Sequence, residues 1–230
     1  MHYQSVNQTM KYLSLLVLTF ISSTILAQGH FSGDLQLNTS FFERDTAIGA
    51  SDRNVYDNLK SSSEAWLTLN YSKDELNAGL RFDLFNHSIL HNPQSEFSGE
   101  GIGMWYISQK VKNLHITAGY FYEQFGAGLI FRAYEDRFLG IDNAVYGVRL
   151  KYALNENWNV KGFVGRQKNR FEVYSPVMKG ANIDGFVQVG DKLTLLPGAA
   201  VLNRTLDQVS MDNISATVKS YDVENRFIPT

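Results

Sequence analysis

In the best-patterned stretches of this chain every charge falls on one parity of residue number. Between positions 114 and 152, Leu114, Ile116, Ala118, Tyr120 and Tyr122 alternate with His115, Thr117, Gly119, Phe121 and Glu123. Further on, Ala144, Tyr146, Val148, Leu150 and Tyr152 alternate with Asn143, Val145, Gly147, Arg149 and Lys151. Successive strand side chains point to opposite faces, so each stretch has one apolar face and one face that holds its charge. A period of two sustained this way selects strands over helices.

The same split recurs along the chain. Phe31, Leu35, Leu37 and Phe41 oppose Asp34, Gln36 and Asn38; Ala65, Leu67, Leu69 and Tyr71 oppose Glu64, Trp66 and Asn70; Leu76, Ala78, Leu80, Phe82 and Leu84 oppose Asn77, Arg81 and Asp83. Residues 102–111 read as a strand whose faces the pattern does not assign, because Met104 and Tyr106 compete with Trp105 and Ile107. Trp158, Val160, Gly162 and Val164 form the next strand, followed by a loop at 167–181 that holds a short strand at 171–174. Residues 183–189, then 193–201 with Pro197 as an edge or bulge, and finally 217–227 bring the total to about ten strands. Tight turns are expected near 73, 112, 155 and 191, with long loops at 44–63, 86–101, 125–142 and 167–181 between them. Short turns at one end, long loops at the other and strands of about ten residues describe an all-β, antiparallel transmembrane β-barrel, either whole or part of a larger one.

The N-terminus suits that reading. Leu13 to Ala27 is apolar or small and uncharged behind Met10-Lys11, which describes a cleaved secretory signal peptide over 1–27, with translation starting at Met1 or Met10 and a mature domain at 28–230. At about 15 residues the apolar stretch is short of the ~20 a spanning helix needs. No cysteine is present, so there is no lipid-anchored Cys, disulfide or thiolate metal site. The net charge of -2 gives nucleic acid no purchase. Charged residues at 19% fall below the ~25% of ordinary soluble domains.

Alternation alone does not distinguish an apolar face in a soluble core from one against lipid, and a soluble sandwich or lipocalin-like barrel is the alternative. Tyr71, Tyr152 and Trp158 on the apolar parity beside the turns, and Phe41, Tyr120 and Tyr122 on it beside the loops, match interfacial aromatic girdles. Over the well-defined strands that parity carries no Asp, Glu, Lys or Arg. The expected location is the outer membrane of a Gram-negative bacterium, with outer-membrane lipid and other outer-membrane proteins as partners and no cofactor.

The candidate site is the charged loop with its flanks: Glu123, Arg132, Glu135, Asp136, Arg137 and Asp142, with Arg149 on the wall. Folded into a porin-like channel, such a loop sets selectivity by its charge; alternatively the charges pair with wall residues such as Arg149 and pin the loop. Glu135, Asp136 and Asp142 match no calcium-loop spacing. His87 and His91 are four apart without a helix to align them or a third ligand, so no metal site is expected. An enzyme is not expected; an outer-membrane hydrolase would need a nucleophile activated by a His at the rim, for which His87 beside Ser88 is the candidate. The second reading is a non-conducting structural or interaction partner of an outer-membrane assembly or secretion complex.

At 120–147, YFYEQFGAGLIFRAYEDRFLGIDNAVYG, the chain resembles a family of uncharacterised outer-membrane barrel proteins of Bacteroidota known only as a domain of unknown function. The matching residues are the Phe-Tyr-Glu-Gln-Phe-Gly run at 121–126, Phe131-Arg132, Tyr134-Glu135, Gly140 and Asp142-Asn143-Ala144. The resemblance covers about residues 31–188 and implies an outer-membrane barrel. It brings no catalytic residues.

Overall fold

A strand with one charged and one apolar face still has to pair its backbone groups on both edges, and this chain does so by folding each strand back on the one before it. In the computed structural model, which describes residues 29–43, 45, 47, 59–91 and 95–220, the strands are β1 (His30–Phe41), β2 (Ser61–Lys73), β3 (Leu76–Ser88), β4 (Phe97–Val111), β5 (Leu114–Phe121), β6 (Glu135–Asp136), β7 (Ile141–Asp142), β8 (Val145–Ala153), β9 (Trp158–Asn169), β10 (Glu172–Gly185), β11 (Val187–Val189), β12 (Leu193–Leu195) and β13 (Gly198–Thr205). One nine-stranded antiparallel sheet runs β1-β2-β3-β4-β5-β8-β9-β10-β13, while β6-β7 and β11-β12 are two-stranded ribbons inserted in its connections. The helix α1 (Gln208–Ser220) follows β13.

The all-β class and the large antiparallel sheet stand, but the sheet is not closed among the described residues. β1 pairs only with β2 and β13 only with β10. The sheet nevertheless curls strongly. Arg81 on β3 and Lys168 on β9 stand four strand spacings apart, roughly 19 Å along the sheet, yet both reach one carboxylate oxygen, Oδ2 of Asp142. The expected signal peptide at 1–27, most of the 44–63 loop and residues 221–227 lie outside the described residues.

Several expected boundaries move for identifiable reasons. The loop expected at 167–181 is a hairpin instead: β9 and β10 are joined through Arg170, whose φ is 57°. A register shift between Val173 and Val177 brackets Pro176, and this bulge breaks the alternation that would have revealed a strand. In β4 a similar shift places Met104 opposite Arg81 and Ile102 opposite Phe82, so Gly103 is the extra residue and the parity reverses there. Trp105 and Ile107 thereby share the apolar face with Ile102, and Met104 and Tyr106 turn inward. The loop at 86–101 shrinks to 89–96. The strand expected at 217–227 is replaced up to Ser220 by α1, whose first turn is capped by Asp207: its Oδ1 accepts from Ser210 N at 2.8 Å.

Burial is inverted relative to an ordinary domain. On the outer face Phe31, Leu35 and Leu37 are about two-thirds exposed, and Phe82, Leu84, Ile107, Val148, Leu150 and Val201 are exposed beside them. On the inner face Arg81 and Asp83 are 4% exposed and Lys168 3%. An apolar cluster of Phe121, Phe125, Phe131, Val145, Phe163 and Met178 fills the inner side of β8 to β10, with Leu202 of β13 packed on it. Beyond the strands that alternation defines, Glu100, Arg166 and Lys179 sit on the outer parity, since they pair with Leu84, Tyr146 and Val164.

Candidate functional site

The connection between β5 and β8 is folded inward in two tiers. Backbone bonds from Phe125 N to Phe131 O (3.0 Å) and from Ala133 N to Glu123 O (2.8 Å) double residues 123–133 back on themselves, with Gly126 and Gly128 turning at positive φ. The β6-β7 ribbon follows, Glu135 opposite Asp142 and Asp136 opposite Ile141, so two carboxylates start side by side on adjacent strands. That pairing is tolerable only with cations close by.

Arg81 supplies the first. Its Nε and Nη2 form a fork on Asp83 at 2.7 and 2.9 Å, its Nη1 donates to Glu135 at 2.7 Å and its Nη2 also reaches Asp142 at 2.9 Å. Lys168 bonds Asp142 from the far wall and lies 4.0 Å from Asp83. Arg137 donates to Glu135 at 3.2 Å and to Gln36 on β1 at 2.7 Å, with its guanidinium 5.2 Å from the Trp66 ring. Three cations thus meet three carboxylates. Buried charges survive only when paired and hydrogen-bonded in this way. Burial pushes the Asp142 carboxyl up, but Lys168 and Arg81 outweigh it and hold the group below the ordinary carboxylate range. Tyr122 donates to Asp142 Oδ1 at 2.8 Å, and burial together with that carboxylate pushes its hydroxyl well above the usual phenol range. Tyr122 is therefore not the lipid-side girdle residue its parity suggested; β5 ends at Phe121 and the chain has already turned inward.

Nearer the short turns lies a second group. Glu123, 7% exposed, takes Arg149 at 3.4 Å, Lys151 at 2.8 Å and Lys161 at 3.8 Å. Arg149 also donates to Thr117 Oγ1 and to the Tyr122 carbonyl, both at 2.9 Å. Of the seven residues expected at the site, Glu135, Arg137 and Asp142 meet in the first group, and Glu123 and Arg149 in the second. The other two stand apart. Asp136 caps its own turn by accepting from Phe138 N at 3.0 Å and Leu139 N at 3.1 Å, and exposed Arg132 stacks 4.6 Å from the Tyr134 ring.

Sequence reasoning left Arg81, Asp83 and Lys168 out of the site. The first two carried a usable signal, opposite charges two apart on one face of the most apolar strand; Lys168 carried none, because it falls where a loop was expected. Above the ion-pair group a half-enclosed cavity of about 210 Å³ opens beside Trp66, Phe85, His91, Arg137 and Phe171. His91 Nδ1 donates to Gly140 O at 3.0 Å, and burial lowers the pKa of the ring from its ordinary value. The candidate nucleophile and base are not joined: Ser88 donates to Glu64 while His87 faces Glu96, each at 2.5 Å. Among the described residues no three His, Asp or Glu side chains are placed to hold a metal ion; the carboxylates around Arg81 are taken up by their cations.

A model described as a family of unknown function, DUF6029, matches residues 7–228. No curated protein matches the chain.

Proposed function

The chain belongs to the DUF6029 family of unknown function; we propose that it is an outer-membrane β-barrel protein of a Gram-negative bacterium, of the Bacteroidota kind that the residues at 120–147 lead us to expect. In this reading the signal peptide exports it, the outer face meets lipid, and segment 125–142 narrows a porin-like conduit. The inverted burial carries the proposal. Charged side chains are almost never buried in ordinary domains while large apolar ones lie in the open, and a contiguous apolar surface of this kind marks a protein or membrane contact. Lipid solvates Phe31, Leu35, Leu84, Val148 and Val201 as a second protein layer would.

Planar-bilayer recording of the purified full chain tests the reading. Discrete conductance steps whose size changes in E135Q and D142N are expected; a silent protein refutes the conduit. One observation favours a second reading. The three-to-three pairing around Arg81 and the Phe125, Phe131 and Phe163 rings, whose centroids lie 4.7 to 5.6 Å apart, describe a packed interior suited to a non-conducting partner of an assembly or secretion complex. Silence in bilayers together with a stable companion in detergent extracts supports that alternative.

A further inference from the structure

The cross-strand register aligns four basic residues in one row across the inner face. Lys110 of β4 pairs with His115 of β5, His115 with Lys151 of β8, and Lys151 with Lys161 of β9. Arg149 stands one inward position further along β8, beside Thr117. Like charges directly opposite each other on neighbouring strands destabilise a sheet, so the Lys151–Lys161 pair costs stability that something must offset.

The protein's own carboxylates offset only part of it. Glu123 is shared by Arg149, Lys151 and Lys161, while Asp184 reaches Lys161 at 3.3 Å. Two carboxylates against those three cations contrast with the three-to-three balance around Arg81, while at the row's edge Lys110 has Glu75 for a neighbour, its backbone N–H bonded to the Glu75 carbonyl at 3.0 Å. Lys151 is 36% and Lys161 21% exposed in their side chains, so a solute on the inner face meets them.

We propose that the Lys110, His115, Lys151, Lys161 row with Arg149 is a binding band for small inorganic anions, which makes the conduit anion-preferring. The inference rests on the conduit reading and adds the class of solute. A low-dielectric wall carrying one sign of charge concentrates counter-ions of the other sign, and rings of Arg and Lys select anions in pores. Glu123 sets the strength of the band by neutralising part of it.

The test is the reversal potential of the full-length protein in a planar bilayer under a potassium chloride gradient, beside chloride-35 NMR line broadening in detergent. The expected reversal potential has the sign of chloride permeation; K151E/K161E inverts that sign, and E123Q moves it further toward chloride. Heat-dependent gel mobility identifies the folded variants, and K151Q/K161Q, which removes charge without adding carboxylates, serves if the double Glu variant does not fold. A potassium-side potential, or one indifferent to these changes, overturns the band while leaving the conduit standing. If nothing conducts, the conduit reading falls and the NMR decides: chloride broadening that drops in K151Q/K161Q sustains the band, and broadening that is absent or unchanged overturns it.

Discussion

Arg81 shows how much a single side chain organises here. It holds Asp83, Glu135 and Asp142 at 2.7 to 2.9 Å, so Arg81→Met leaves three carboxylates with Lys168 and Arg137 alone. Breaking a buried ion pair by removing one partner costs about 3–5 kcal/mol, and chemical unfolding in detergent should show a loss of that order. Gly103, the extra residue of the β4 bulge, lies against the Asp83 carboxylate, and a Cβ there would run into it; Gly103→Ala is expected to displace Asp83 and lower stability without touching the segment. Asp142 sets an acid limit. Its folded-state carboxyl is held below the ordinary 3.8, so its contribution is whole above that pH and drains away as pH falls through the lower folded value. Acid titration followed by tryptophan fluorescence should show the native state weakening below pH 3.8, with a shallower acid dependence in D142N. At this scale the sequence was half legible: alternation put Arg81, Asp83, Glu123 and Arg149 on one face, but Lys168 reaches the Arg81 group only through sheet curvature and Glu135 only through the inward fold of the β5–β8 connection, which a one-dimensional pattern does not carry.

Among the elements, the β6-β7 ribbon distinguishes the conducting from the packed reading. Deleting 127–141 behind a short Gly-Ser linker removes Glu135 and Arg137 together and leaves Arg81 with two of its three carboxylates. If the segment narrows a conduit, the deletion enlarges the conductance step in bilayers; if it only packs an interior, stability falls and conductance stays absent. The strands themselves were legible wherever apolar and polar residues strictly alternate, as in β2, β3 and β8. They were not where one residue slips the register. Pro176 hid the continuity of β10, Gly103 scrambled the faces of β4, and the β-branched residues near 217 suggested a strand although Asp207 caps a helix whose last turn contains them. The ribbon was invisible because its paired stretches are two residues each, too short to show a period.

At the scale of the molecule the sheet is curved enough for β3 and β9 to share Asp142, yet β1 and β13 are not paired with each other among the described residues. The inner face is a charged and aromatic interior and the outer face a mainly apolar surface that also carries Glu100, Arg166 and Lys179; in the proposed reading lipid lies where a soluble domain has water. The absence of cysteine makes single-site labelling direct. Spin labels at Leu35, Leu84 and Val148 on the outer face, compared with Ser108 and Thr117 on the inner, read the solvent of each side after reconstitution into lipid vesicles. Lipid contact requires the three outer labels to be relaxed by oxygen and shielded from a water-soluble nickel chelate, with the inner two not following them. Outer labels as open to the nickel chelate as an exposed loop position, or a mature chain that stays monodisperse in buffer without detergent, contradict it.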